Sequence, residues 1–164
     1  MHGASEATPT IDTQSLSIYA VEVLARLNET IDAIEAAYRE YHFNLVAQHL
    51  YNFVWSDYCD WFVETAKTDI FSEDETKKRT ALAVMDLVLS ATLRLLHPFM
   101  PHLTEEIWSL LGLGTGSIQF AVPPEKFALE SVTDLSERRQ LVSAIYNAIQ
   151  AGRNLSFGVE VTVE

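Results

Sequence analysis

The chain has 164 residues, of which 48% are hydrophobic, and 23 acidic against 11 basic residues give a net charge of −12. This apolar fraction excludes a wholly disordered chain, and no apolar run approaches the roughly 18 residues of a membrane span. The acidic balance argues against a surface built mainly to grip phosphates. The single cysteine excludes an intramolecular disulfide and fits the reducing cytoplasm, where we expect the protein.

The first part of the chain predicts a mobile segment followed by a long helix. Residues 1–15 are small and polar, and we expect them to be mobile. Between about residues 16 and 41, apolar side chains recur at steps of three and four, which predicts one amphipathic helix. The members of this stripe are Leu24, Leu27, Ile31, Ile34, Tyr38 and Tyr41. His42, Phe43 and Asn44 then form a predicted corner.

A second helix is predicted from about residue 45 to 67, and it contains an unusually aromatic stretch. Six of the sixteen residues from Leu50 to Thr65 are aromatic, and no Gly or Pro interrupts them. The predicted apolar face consists of Ala47, Leu50, Val54, Tyr58, Trp61 and Thr65. Tyr58 and Trp61 are therefore expected in the core, and Cys59 is expected as a small buried hydrophobe. The alternative is that Trp55, Tyr58, Trp61 and Phe62 form an aromatic platform on which bases stack.

Two further helices complete the predicted bundle. A helix from about residue 75 to 96 is apolar nearly all round, which favours a central position, and Ser72 or Asp74 is expected to cap it. Pro98 ends this helix, and Pro101 favours a new start at the first turn of a fourth helix. The fold class is thus mainly α, with a bundle of four to five helices over residues 16–111.

The C-terminal segment, residues 112–164, is predicted to be a small α+β appendage. Alternating apolar residues predict strands at Ser117–Val122 and Phe157–Val163. Between them, Ser136 to Asn154 is predicted to be helical. The expected buried stripe of that helix is Leu141, Val142, Ile145 and Ile149.

Two long motifs carry a family resemblance. One is the aromatic stretch from Leu50 to Thr65, and the other runs from His97 to Trp108. Together with residues 26–31 and 43–44, they resemble the anticodon-binding helical domain of valyl-tRNA synthetase, a class I aminoacyl-tRNA synthetase. The resemblance covers about residues 16–111. The element Tyr-Cys-Asp-Trp at residues 58–61 favours the valyl enzyme over its isoleucyl and leucyl relatives.

The resemblance implies a recognition module within a larger ligase. The parent enzyme would join valine to tRNA(Val) using ATP and Mg in a catalytic domain. This chain has neither a His-Ile-Gly-His signature nor a Lys-Met-Ser-Lys-Ser loop, so no catalytic site, cofactor or metal is expected within it. Its expected partners are the anticodon stem-loop of tRNA(Val) and the other domains of the parent. We expect a monomer with no membrane partner.

Seven residues are candidates for RNA contact. Arg39, His42 and Phe43 place a cation, an imidazole and a ring at one corner, which suits an unstacked loop base. Val63 and Lys67 lie off the predicted apolar face, where they could touch a base and a phosphate. Arg94 and Arg153 are further candidate cations. Arg153-Asn154 resembles a pair on the last helix of the family, although Ser156 stands where a second Arg follows in the family.

Two other classes of function stay open at this point. The net charge of −12 favours a helical protein-interaction domain without RNA binding. Asp57, Asp60 and Glu64 share one side of the second helix, which could also serve acid–base chemistry or a hard metal in a bundle enzyme.

Overall fold

The structure, a computed structural model, describes residues 11, 13–114 and 116–157, and every regular element in this part is helical. The α-helices in these ranges are Ile18–Arg39 (α1), Phe43–Asn52 (α2), Val63–Ile70 (α3), Glu75–Leu96 (α4), Pro101–Leu111 (α5) and Leu135–Phe157 (α6). A π-helical segment, Phe53–Phe62, joins α2 to α3, and short 3-10 turns occupy Thr13–Ser15 and Ile118–Phe120. The predicted mainly-α fold is confirmed.

Helix α1 is the centre of the packing. Ser17 caps it by accepting a hydrogen bond from the Ala20 amide at 3.2 Å. The predicted stripe is confirmed for its first four members, which are the buried residues Leu24, Leu27, Ile31 and Ile34. The prediction is wrong at the C-terminal end of the stripe. The helix stops at Arg39, and Tyr41 adopts a left-handed backbone with φ 60 and is 78% exposed.

The second helical element differs from its prediction because of the π-helical segment. Its buried side chains are Val46, Leu50, Phe53, Tyr58, Phe62 and Ala66. The step from Phe53 to Tyr58 is five residues, as the i→i+5 hydrogen bonds of a π-helix require. The predicted face used only steps of three and four, so it was wrong at Ala47, which is exposed. Cys59, expected to be buried, is also exposed.

Helices α4 and α5 follow the predicted capping signals. Asp74 Oδ1 accepts from the amides of Thr76 and Lys77 at 2.9 and 3.3 Å, which confirms Asp74 as the N-cap of α4. Pro101 occupies the first turn of α5. At the break between these helices, His97 Nδ1 and Thr104 Oγ1 are 2.8 Å apart. Helix α4 packs against α1, α2, α3 and α5, which confirms its predicted central place.

The predicted strand at Ser117–Val122 is wrong. Ile118–Phe120 is a 3-10 turn, and the following segment lies against α1. The part of the chain that the structure describes contains no strand with which this segment could pair. Asn28 holds that segment through two bonds to the Phe127 backbone, donating to its carbonyl at 2.9 Å and accepting from its amide at 2.8 Å. Leu129 and Val132 are buried in the main core. A single side chain of α1 therefore satisfies both backbone groups of Phe127.

Helix α6 packs against α1 rather than standing apart from the bundle. Val142 is buried, but Leu141 and Ile149 are 53% and 40% exposed, so the predicted four-residue stripe was wrong at those two positions. The predicted final strand began at Phe157, which instead ends α6, and its remainder lies outside the described residues. The division of the chain at residue 111 stays a prediction. None of the helices described is long and apolar enough to cross a membrane.

Candidate nucleic-acid interface

The corner between α1 and α2 exposes a small group of aromatic rings. The His42 amide donates to the Ala37 carbonyl at 2.8 Å, which ends α1 tightly. Phe43 then packs edge-on against Tyr38 and Tyr41, with ring centroids 6.0 and 6.4 Å apart. Phe43 is 51% exposed, because its ring lies on the flank of α2 rather than on the buried face. We call Tyr38, Tyr41 and Phe43 the aromatic corner.

Two of the predicted contact residues, Arg39 and His42, place a guanidinium and an imidazole beside the aromatic corner. Arg39 Nη2 lies 3.4 Å from Glu35 Oε2, and the Arg39 side chain is 79% exposed. His42 Nδ1 lies 3.2 Å from Glu40 Oε2, also at the surface. Exposed pairs of this kind contribute about 0–1 kcal/mol, so Arg39 can exchange Glu35 for a phosphate at little cost. The structure thus brings Arg39, His42 and Phe43 together.

Val63 and Lys67 lie far from the aromatic corner. Lys67 follows Phe43 by 24 residues of continuous helix, which corresponds to roughly 36 Å. Lys67 Nζ contacts both carboxylate oxygens of Glu64, at 2.7 and 2.8 Å. Val63 is half-buried and packs against the main core. Any RNA contact of these two residues would therefore be separate from a contact at the corner.

Arg94 and Arg153 have structural partners of their own. Arg94 donates to the Val122 carbonyl at 3.0 Å and to the Ser90 carbonyl at 3.3 Å, which ties the loop after α5 to α4. The Arg153 guanidinium lies 5.7 Å from the centre of the Trp61 ring, within cation–π range. Both side chains therefore already contact other parts of the fold.

Trp61 lies under α6 and is only half-buried, so the prediction that it belongs to the core was wrong. Its ring stacks on Tyr146 with centroids 3.8 Å apart and planes 24° from parallel. Burial raises the pKa of Tyr146 to about 12, with nearby Glu22 adding to the shift. Because Tyr146 covers one face of Trp61 and Arg153 approaches the ring, this side of the second helical element offers little surface to a base.

The sequence patterns did not single out Tyr51 as a contact residue. Tyr51 and Trp55 are 63% and 64% exposed, and their rings are parallel to within 6° with centroids 6.4 Å apart. Both residues lie off the predicted apolar face, but the pattern did not show that their rings are parallel and face solvent. The signal that was present is the absence of charge around this pair, since residues 43–56 contain no Asp, Glu, Lys or Arg.

The bundle-enzyme alternative finds no support in the acidic side of the second helical element. The described residues contain no group of three or more His, Cys, Asp or Glu side chains placed to hold a metal ion. Asp60 and Glu64 are exposed, and Glu64 is paired with Lys67. Asp57 differs from them because it is partly covered near Arg26 and Tyr146.

Asp57→Asn is expected to raise the unfolding midpoint at pH 7. Burial raises the pKa of Asp57 above its ordinary value of 3.8, with Arg26 opposing this and Glu22 and Glu29 adding to it. A carboxyl whose pKa is raised by folding stabilises the fold while protonated, and this stability is lost as the pH rises through the folded pKa. The gain from the neutral amide should therefore disappear below about pH 3.8. Thermal melts at pH 3 and pH 7 measure the change in unfolding midpoint, and Asp60→Asn, at an exposed position, is the control. An equal gain at the two pH values would contradict the charge argument.

Comparison with known proteins places these features in a family. Residues 21–162 match the family model described as the anticodon-binding domain of tRNA ligase. The chain belongs to this family. The matched range includes all the predicted contact residues from Arg39 to Arg153. Each of the α-helices described, α6 included, lies wholly or largely within the matched range.

Curated relatives of this anticodon-binding domain are valine–tRNA ligases. The protein from Bacillus licheniformis is 44% identical over 133 residues, covering 81% of this chain and 15% of the relative. The protein from Bacillus subtilis is 43% identical over 129 residues, covering 76% of this chain and 15% of the relative. That from Halalkalibacterium halodurans is 39% identical over 143 residues, covering 85% and 16%. The chain thus spans about 15% of the length of the relatives it matches.

Proposed function

We propose that this domain binds the anticodon stem-loop of tRNA(Val) as one part of a valine–tRNA ligase. The observation that carries the proposal is the aromatic corner with Arg39 beside it, on a chain of the anticodon-binding family. The parent enzyme would join valine to tRNA(Val) with ATP and Mg in a catalytic domain outside this chain. It would act in the cytoplasm, with the other ligase domains and the tRNA as partners of this monomeric module.

The aromatic corner suits a base that has left the stack of a loop. Sequence-specific RNA recognition targets unstacked bases, which lie on aromatic rings and are hydrogen-bonded at their edges. Phe43 and Tyr41 supply the exposed rings, and His42 supplies a hydrogen-bonding group between them in the chain. Arg39 can reach a phosphate after releasing Glu35. Stacking would select the loop, while phosphate contact would set its register.

The charge distribution indicates that the isolated domain binds weakly. Its net charge of −12 repels phosphates at long range. Most of its cations already lie beside carboxylates, as Arg39 does beside Glu35 and Lys67 beside Glu64. We expect only about two to three phosphates to be neutralised, which gives a shallow dependence of affinity on salt. The remaining affinity of the parent ligase would come from its other domains.

Binding of a labelled tRNA(Val) anticodon hairpin tests the proposal. Phe43→Ala and Arg39→Ala are each expected to weaken binding by about 1 kcal/mol or more, about fivefold in Kd, because each removes a stacking or charged contact. Phe71→Ala removes an aromatic ring that is 83% exposed in the loop after α3, and it is the control for Phe43. Lys126→Ala removes an exposed cation paired with Asp32, and it is the control for Arg39.

The loop sequence provides the decisive comparison. A hairpin with a changed middle anticodon base should bind more weakly than the native hairpin. Equal binding of native and scrambled loops, or no binding at millimolar RNA, would contradict anticodon recognition by this domain. The net charge of −12 would then favour the protein-interaction alternative.

A further inference from the structure

One face of the second helical element carries a row of exposed polar and aromatic side chains. Asn44, Gln48, Tyr51 and Trp55 follow one another at steps of four, three and four, which places them on one side of a helix. All four are exposed. The helix buries its opposite side through Val46, Leu50 and Phe53 and their neighbours. We call the four exposed residues the α2 strip.

The two rings of the α2 strip are held parallel without covering one another. Their planes are within 6° of parallel, and their centroids are 6.4 Å apart. Well-overlapped stacked rings have much closer centroids, as the 3.8 Å separation of Trp61 and Tyr146 shows in this same protein. Tyr51 and Trp55 therefore keep most of their faces open, in accord with their exposures of 63% and 64%. A third flat ring can stack on this pair.

Two side-chain amides are near these rings in the chain, since Gln48 precedes Tyr51 by three residues and Asn52 precedes Trp55 by three. Gln48 Nε2 donates to Asn52 Oδ1 at 2.9 Å. This bond uses one donor of Gln48 and one acceptor of Asn52, and each amide has further hydrogen-bonding capacity. Side-chain amides can pair with the donor and acceptor groups on a base edge. The strip and the adjacent Asn52 thus combine rings for stacking with amides that can recognise a base edge, on consecutive turns of the helix.

The charge pattern favours a nucleobase over a basic protein segment as the occupant. Residues 43–56 contain no Asp, Glu, Lys or Arg, although the chain has 23 acidic residues. A strongly basic protein segment would find no carboxylate on this strip, and the strip itself carries no charge that would repel RNA. Tyr51 lies eight residues after Phe43, roughly 12 Å along the helix, so the strip adjoins the aromatic corner.

We propose that the α2 strip is a second base-binding position, at which an unpaired base of the tRNA loop stacks on Tyr51 and Trp55. Gln48 and Asn52 would hydrogen-bond its edge. This inference rests on the proposed function, and it adds a site that is independent of the aromatic corner. Base stacking on aromatic side chains tolerates any base, so selectivity at this position would come from the two amides.

Binding of the tRNA(Val) anticodon hairpin by the full chain tests the strip. Tyr51→Ala and Trp55→Ala are each expected to raise Kd at least about fivefold, in keeping with the loss of one stacking contact. Trp55→Phe keeps a flat ring and should retain most of the affinity. Phe71→Ala is again the control, because it removes an exposed ring outside the strip. Helical circular dichroism of each variant checks that the fold is kept.

Nuclear magnetic resonance of the indole N–H groups provides a direct readout. The Trp55 signal, assigned by its loss in Trp55→Phe, should shift as hairpin is added. The Trp108 signal should stay in place, because Trp108 is 2% exposed and its indole donates to the Gly116 carbonyl at 3.2 Å. A Trp55 signal that does not move at saturating hairpin would overturn the proposal.

The outcomes separate failure of the strip from failure of the proposed function. If the hairpin binds and Phe43→Ala weakens it while Tyr51→Ala and Trp55→Ala do not, the strip is not a base site and the anticodon function stands. If the wild-type chain binds no hairpin, both proposals fall. If Trp55→Ala abolishes self-association in sedimentation experiments but leaves RNA affinity unchanged, the strip is a protein contact and the inference is wrong.

Discussion

Phe53→Ala is expected to lower the free energy of unfolding by about 3–5 kcal/mol, the usual cost of emptying a large aromatic site in a core. Phe53 is 1% exposed and belongs to the main core cluster with Leu24 and Leu27. It is also the first residue of the π-helical segment, where the register of the buried face changes. Urea unfolding followed by circular dichroism measures the loss.

Two other rings of the same segment provide matched controls for Phe53→Ala. Trp61 is half-buried against Tyr146, so Trp61→Ala should cost less, about 2 kcal/mol. Trp55 is 64% exposed, and Trp55→Ala should change stability by no more than about 0.5 kcal/mol. A loss at Trp61 equal to that at Phe53 would mean that the contact with α6 is as important to the fold as the core itself.

The sequence predicted the elements whose signals are local. Helix α1 follows the stripe from Leu24 to Ile34, and α4 begins at the cap formed by Asp74. Pro101 opens α5 because a proline has no amide to leave unpaired at a first turn. In each case a few neighbouring residues contain both the pattern and its physical cause, so no knowledge of the rest of the fold was needed.

The sequence could not predict features that depend on distant partners. Alternating apolar residues from Ser117 to Val122 predicted a strand, but the described residues contain no neighbouring strand with which it could pair. Instead, Asn28 of α1 forms hydrogen bonds with the backbone of the following segment at Phe127. The π-helical segment was missed for a related reason. The five-residue step from Phe53 to Tyr58 lets both rings pack into the main core, which residues of α1 and α4 help to form. This stabilisation depends on helices that are distant in the sequence.

The candidate site also contains some residues that the sequence alone brings together and others whose surroundings only the fold determines. Arg39, His42 and Phe43 are close in the chain, so the sequence could place them together at one corner. Lys67 was selected for its place off the predicted apolar face, and Arg94 and Arg153 as further cations. The distant partners of these two arginines, Val122 and Trp61, could only be identified in the fold. The open faces of Tyr51 and Trp55 depend on which side of the helix is buried. The predicted apolar face already left both residues off that side, but it did not show that their rings are parallel and largely uncovered.

Helix α6 is held on α1 by a buried carboxylate. Glu22 has a side chain only 4% exposed, and it accepts from Arg26 Nε and Arg139 Nε, each at 2.8 Å. Arg139 also reaches Glu29 at 2.8 Å. Hydrogen bonding to Glu22 raises the pKa of Arg139 above its usual range. This network crosses from α1 to α6 beside the stack of Trp61 on Tyr146.

Glu22→Gln should therefore destabilise the protein by about 3 kcal/mol, although it keeps the shape of the side chain. The amide cannot compensate two guanidinium groups, and one of its two polar atoms is a donor that faces other donors. Urea unfolding measures the loss, and near-ultraviolet circular dichroism reports whether the Trp61–Tyr146 stack survives. Glu29→Gln is the control, because Glu29 is 49% exposed and its removal should cost less than about 1 kcal/mol.

A double variant separates the charge of Glu22 from its packing. Replacing Glu22 and Arg139 together by Met leaves no buried carboxylate, and Arg26, which is 41% exposed, can turn toward Glu29 and solvent. Apolar replacement of a whole buried pair is often neutral or stabilising, so the double variant should recover most of the stability lost in Glu22→Gln. If it is as unstable as the single variant, the unpaired charge is not the cause, and shape complementarity between α1 and α6 must account for the loss.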